Sequence, residues 1–204
     1  GKTTILGAGY GMGAVRFKDQ LQSFGFDMDL DEARRVIRVY REANFNITTL
    51  WRDAGYMLEN MARGDSVQFG LSNVLTVDAK QSAIKLPSGL LMRYDDLRGE
   101  FGEKGMEYTY KVRRGRNRIY GGKVIENVCQ AIARCIIGEQ MLKIAKRYRV
   151  VLTVHDSVVC CIPKEKIAEA HKYIEECMRW TPPWAAGLPV NCESGIGKSY
   201  GDCG

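Results

Sequence analysis

The sequence is poor in the residues that most often hold zinc. It has two histidines, His155 and His171, and none of its seven cysteines stands in a Cys-x-x-Cys pair. Adjacent Cys160 and Cys161 fall in an apolar run that reads as a strand. Neighbouring strand side chains point to opposite faces, so these two do not share one metal. An odd cysteine count without framework spacing reads as reduced, mostly buried thiols of a cytosolic protein. No apolar run approaches the ~20 residues that span a bilayer, and no signal-peptide pattern opens the chain, so no membrane partner is expected. The chain does not begin with Met, so Gly1 need not be a natural start. Repeats, low-complexity tracts and long linkers are missing too.

What is present is the composition of a globular chain. The 204 residues are 45% hydrophobic and 26% charged, enough for one large domain or two small ones with a sizeable core. The net charge of +6 suits a phosphate polyanion through charge neutralisation and counterion release. It equally suits a mildly basic soluble protein.

The apolar spacing predicts a series of elements. Residues 2–20 are expected to form a helix, with Ile5, Ala8 and Met12 on one face and four glycines weakening it. Residues 30–44 read as an amphipathic helix capped by Asp29 or Asp31, with Ala33, Val36, Ile37 and Tyr40 inward. A second helix starts after Asn46, carries Ile47, Leu50, Trp51, Ala54, Leu58 and Met61 at three- and four-residue spacing, and stops at Gly64. Residues 82–94 read as two strands joined at Pro87-Ser88-Gly89, and 107–113 as a strand leading into an RRGRNR loop at 113–118. A long helix over about 123–147 puts Val124, Val128, Ile132, Cys135, Ile136, Leu142 and Ala145 toward a core. Residues 149–163 read as a hairpin with a polar break, and 164–180 as a helix with Ile167, Ala170, Ile174 and Met178 inward. The expected class is α+β, helices packed on a mostly antiparallel sheet.

Three stretches can carry chemistry. GKTT at residues 1–4 matches the end of a phosphate-binding loop, but the first glycine, the four residues after it and the preceding strand are missing. A P-loop nucleotidase is therefore the weakest of the readings. Lys2, Leu6 and Tyr10 at four-residue spacing can instead line one side of a helix, placing a cation, an apolar chain and a ring in a row. That row fits a triphosphate, a sugar and a base, or is simply the edge of an ordinary helix. In VLTVHDSVV, Asp156 stands between two apolar strands, where a carboxylate can give Mg²⁺ an oxygen ligand. Asp-Ser is also a common turn pair. Asn127, Gln130 and Arg134 share a helix face that can bond nucleic-acid phosphates, sugars or minor-groove acceptors, or can merely be solvated.

Taken in order, these stretches resemble the family A DNA polymerases, in a phage-like branch. Lys2-x3-Leu6-x3-Tyr10-Gly11 resembles motif B of the nucleotide-binding fingers, YGGKVIENVCQAIAR (120–134) the palm helix on the primer–template, and VHDSVV (154–159) motif C. LPVNCESGIGKSYGD (188–202) resembles the C-terminal strand and tail. The resemblance implies a right-hand polymerase portion with fingers over residues 1–118 and palm over 119–204. It implies that Lys2 contacts the triphosphate of the incoming dNTP and that Leu6, where Phe or Tyr is familiar, packs near the sugar. Tyr10 would pack near the nascent pair, and Gly11 would let the template pass. Gln130 and Arg134 would track the duplex, with Asn127 offset by one from a familiar spacing that falls on Glu126. His155 would support the primer terminus and Asp156 would bind catalytic Mg²⁺, while Ser157 replaces the usual Glu.

Family A chemistry uses two metals and a second carboxylate from motif A, which precedes motif B and is not in this sequence, nor is the thumb. The expected function is thus DNA-directed DNA polymerisation as the C-terminal part of an enzyme, inactive alone. Its expected partners are primer–template DNA, dNTPs and a polypeptide carrying motif A and thumb, and its expected location is the cytoplasm, on DNA. The alternative is a non-catalytic DNA-binding module or relic of a polymerase.

Overall fold

A computed structural model of the chain describes residues 5, 7–102 and 105–203. The chain folds as two compact units, Gly1–Gln130 and Ala131–Gly204. Both mix helices with antiparallel strands, so the α+β expectation holds.

The first unit opens on a short helical stretch through Gly7 and Ala8, a turn at residues 9–11, and then helix α1 (Ala14–Ser23). In place of the continuous helix expected over 2–20, the backbone breaks. Gly11 takes φ +86, the left-handed conformation that ends helices, and Gly13 is extended at φ −82, ψ 163. Ala8 and Phe17, from the two sides of the break, join Ala33 and Ile37 in one core cluster that Met12, Val36 and Tyr40 flank. Helix α2 (Leu30–Ala43) is capped by Asp29, whose carboxylate accepts from the Glu32 N–H at 2.8 Å. Helix α3 (Phe45–Arg63) buries Ala54, Met57, Leu58 and Met61 and ends at Gly64, φ +89. Leu50, expected inward, is 38% exposed.

Two three-stranded antiparallel sheets follow. Strands β1 (Thr76–Asp78), β2 (Ala83–Lys85) and β3 (Leu91–Arg93) pair in that order, with the turn at residues 87–89 between β2 and β3. Strands β4 (Arg98–Gly102), β5 (Gly105–Val112) and β6 (Gly115–Ile119) form the second sheet. The expected loop at 113–118 shrinks to Arg113 and Arg114, and its remainder is strand β6. Directly opposed residues share a face in such a sheet. One face therefore carries Phe101, Met106, Tyr108, Tyr110 and Ile119, and the other Arg98, Glu107, Lys111, Arg116 and Arg118. Arg116 reaches past its strand to the Asp96 carboxylate at 2.7 Å, and Arg118 pairs with Glu107 at 2.8 Å.

Helix α4 (Gly121–Ile144) begins in the first unit and continues into the second. There, Cys135, Ile136 and Ile144 are buried, whereas Leu142 and Ala145, expected to face a core, are exposed. Gln140 is fully buried, and its amide donates to the Met178 and Trp180 carbonyls at 2.7 and 3.0 Å. These bonds fasten the end of helix α5 (Ile167–Arg179), which buries Ala170 and Cys177. Between the two helices lie strands β7 (Val150–Val154) and β8 (Ser157–Cys160), an antiparallel ribbon. None of the seven cysteines forms a disulfide. Only Cys135 and Cys177 are buried, fewer than expected, and Cys129 and Cys161 are exposed. Among the described residues no helix is long and apolar enough to cross a membrane.

Candidate nucleotide and nucleic-acid site

The residues singled out in the sequence fall in both units. Lys2 and Leu6 lie outside the described residues. Tyr10 does not continue a helix but stands in the turn that closes it, where its own N–H donates to the Gly7 carbonyl at 3.3 Å and that of Gly11 to Ala8 at 3.2 Å. The Tyr10 ring is half-buried, not on an open helix face. Partial burial pushes its phenol up, helped by Cys129 and Glu126 on α4 and by Tyr40 on α2.

Two glycines let the start of α4 reach this turn. A Cβ on Gly122 would lie 2.5 Å from the Tyr10 carbonyl oxygen, and one on Gly121 would overlap the Trp51 carbonyl oxygen. Trp51, expected in the apolar stripe of α3, spans the gap instead. Its indole N–H donates to the Gly9 carbonyl at 3.1 Å, and the Arg41 guanidinium lies 5.9 Å from the centre of its ring. Arg41 also donates to the Met12 carbonyl at 3.3 Å. The result is an open cleft of about 390 Å³ lined by Gly11, Arg41, Thr48, Trp51, Arg52, Tyr120, Gly121 and Gly122. Sequence reasoning missed Arg41, Trp51 and Tyr120 as its walls. The Gly121-Gly122 doublet at a helix start was the available sign that two backbones meet there.

Farther along α4, the candidate face is partly used internally. Asn127 is half-buried and donates to the Tyr94 hydroxyl at 3.3 Å. Tyr94 is itself buried, edge-on to Tyr110 at 5.3 Å, and burial pushes its phenol up to about 12. Asn127, expected on the nucleic-acid face, is bonded within the protein, and Glu126 is bonded by Lys123 at 2.7 Å. Gln130 and Arg134 are exposed, and the Gln130 amide reaches Glu126 at 3.4 Å.

In the second unit His155 and Asp156 form the two-residue turn between β7 and β8, closed by the Val154–Ser157 pair. Both are exposed, as the apolar strands around a polar break required. His155 takes φ +53. A non-glycine residue there costs on the order of 1 kcal/mol and persists when something else demands it. Replacing His155 by Gly should relieve the strain and stabilise the chain by about 1 kcal/mol, a rise of roughly 2–4 °C in melting temperature. A thermal unfolding scan reading no change, or a loss, would refute the strain. The register slips between Val150 and Leu152, a bulge that leaves Val151 and Leu152 each 45% exposed.

Asp156 presents one carboxylate. No group of three or more His, Cys, Asp or Glu close enough to hold a metal occurs among the described residues. The turn therefore suits a hard cation that takes one protein oxygen and completes its shell with waters and phosphate oxygens, and does not suit an all-protein cage.

The chain is similar to a DNA polymerase of Bacillus phage SP02. The two are 29% identical over 215 aligned residues, which cover 98% of this chain and 32% of that polymerase. The chain thus spans about a third of the length of the curated relative it matches. No family model matches it, and no solved structure matches it.

Proposed function

We propose that this chain is the fingers and palm portion of a template-directed DNA polymerase of the family A type, extending a primer with dNTPs once joined to a part that carries motif A and the thumb. The observation that carries this reading is the position of Asp156. It sits at the exposed tip of an antiparallel ribbon, in a chain that aligns almost throughout with part of a phage DNA polymerase. In this reading Lys2 takes the triphosphate, Leu6 and Tyr10 flank the sugar and base, and Gly11 admits the template. Gln130 and Arg134 follow the duplex, with Asn127 contributing little. His155 steadies the primer terminus and Asp156 supplies one ligand for Mg²⁺, which when bound would polarise the phosphate under attack.

The need for a complement also has a physical side. A two-stranded ribbon is marginal by itself, and the exposed Val151 and Leu152 of β7 offer apolar area for a neighbouring strand to cover. Sparse acidic ligands and Ser157 in place of a carboxylate favour the second reading, a module that grips DNA without chemistry.

Both readings require electrostatic DNA binding, given the net charge of +6. Binding of a primer–template by the chain should be weak and fall steeply with salt. Three or more phosphate contacts give a log–log slope of about −3 or steeper. Anisotropy titrations over a range of salt measure it, and a slope near zero would exclude an electrostatic groove.

A further inference from the structure

We propose that the first unit holds a track for one unpaired DNA strand, running along an arginine stripe of α2 into the cleft at Gly11. The proposal rests on the polymerase reading for its ligand and adds an arginine row that none of the motifs contains. Beside the cleft already described lies a second depression, also of about 390 Å³, lined by Ala14, Arg34, Ile37, Arg38, Arg41 and Glu42. Arg41 lines both, so the two adjoin.

Arg34, Arg38 and Arg41 follow one another at four- and three-residue steps, which sets them in one row on α2. Arg34 leans on exposed Asp31 at 2.8 Å. No described residue bonds or pairs with Arg38, and Arg41 reaches only a backbone carbonyl and the Trp51 ring. With Arg52, which pairs with Asp53 at 3.6 Å, the two linings hold four arginines and one carboxylate, that of Glu42, so Arg38 and Arg41 are the cations left without a carboxylate among the described residues.

Planar guanidinium groups suit phosphate oxygens. In the cleft that Arg41 and Arg52 also line, Trp51 and Tyr120, the latter 45% exposed, offer rings on which bases can stack, a combination typical of single-strand grooves. In a duplex the base faces are already stacked on neighbouring pairs, so the track should prefer a single strand to a duplex. An acidic peptide could meet the arginines but would have no use for the rings.

The test is fluorescence anisotropy of the 204-residue chain with labelled oligo(dT) and with a blunt duplex of equal length. Arg34→Ala/Arg38→Ala should weaken oligo(dT) binding roughly tenfold at low salt and flatten the salt slope by about 1.4, two single-strand contacts at ~0.7 each, while leaving the duplex unaffected. Arg34→Lys/Arg38→Lys should keep the slope. Tyr120→Leu should weaken oligo(dT) several-fold with the slope unchanged, as lost stacking does. If the double alanine variant does not fold, Arg38→Gln carries the same test with half the change in slope. Wild-type oligo(dT) affinity and slope in a folded arginine variant would overturn the track. So would polyglutamate competing as well as oligo(dT) at equal charge. Primer extension separates this from the reading beneath it. Normal extension with an unaltered variant slope removes the track alone. Arginine-dependent oligo(dT) binding without any extension removes the polymerase reading alone.

Discussion

Asp156→Ala should abolish primer extension in a preparation where this chain is joined to its complement. The expected loss is on the order of a thousandfold or more, since a carboxylate that organises charge at the reacting phosphate lowers the barrier by several kcal/mol, each ~1.4 kcal/mol being a factor of ten. Asp156 is exposed in a two-residue turn, so the substitution removes little packing. Asp156→Asn is the sharper variant. Asn suits turns as well as Asp does, and it removes the charge while keeping the shape. Both should bind primer–template nearly as the parent chain does and fail to extend it. Extension by Asp156→Asn at the parent rate would remove Asp156 from the site. Lys2→Ala should instead act mainly on nucleotide use, raising the KM for dNTP more than it lowers kcat.

The second large effect is expected at Gly121. Its missing side chain lets the first turn of α4 meet the Trp51 carbonyl, and Trp51 in turn holds the Gly9 carbonyl beside Tyr10. A methyl group at Gly121 would overlap backbone that no side-chain rotation can move, and such overpacking costs about 3 kcal/mol. Gly121→Ala should therefore lower the melting temperature by roughly 6–12 °C, and by displacing the Tyr10–Gly11 turn it should also weaken dNTP binding. Gly138→Ala, on the same helix with nothing within 4 Å of its added Cβ, is the internal comparison. It should stabilise by about 0.5–1 kcal/mol through helix propensity. Equal melting temperatures for the two variants would show that α4 does not need its glycine contact.

The parts of this fold legible in the sequence are those specified locally. Asp29 caps α2 and Gly64 ends α3 because a side-chain acceptor and a left-handed glycine act within a turn of themselves. The His155–Asp156 turn is legible because β-branched runs flank two polar residues. The failures come from determinants distant in sequence. Gly11 is one of four glycines there, and which of them stops the helix is decided by Trp51 and α4, 40 and 110 residues away. Most of strand β6, GRNRI, reads as loop and β4, RGEFG, goes without an assignment, because apolar alternation is the usual mark of a strand. Their charged face is held by Arg116 with Asp96 and Arg118 with Glu107. In the first unit the motif spacing pointed to Gly11, which lines the cleft, but not to the cleft's other walls. Arg41 comes from α2, Trp51 from α3 and Tyr120 from the link between β6 and α4, and a side chain such as Trp51 looks like core in any periodicity.

The most direct test of the central claim is primer extension with Mg²⁺, dNTPs and a primer–template, run with the 204-residue chain, with a polypeptide supplying motif A and thumb, and with both together. Neither part should extend the primer alone, because one carboxylate at Asp156 does not organise the two metals that in-line transfer uses. The mixture should extend it, and Asp156→Ala in the mixture should not. Robust extension by the chain alone would mean that a second carboxylate is already present and that the dependence on a complement is wrong. No extension by a mixture whose parts demonstrably associate would contradict the polymerase reading and leave a protein that binds DNA without acting on it.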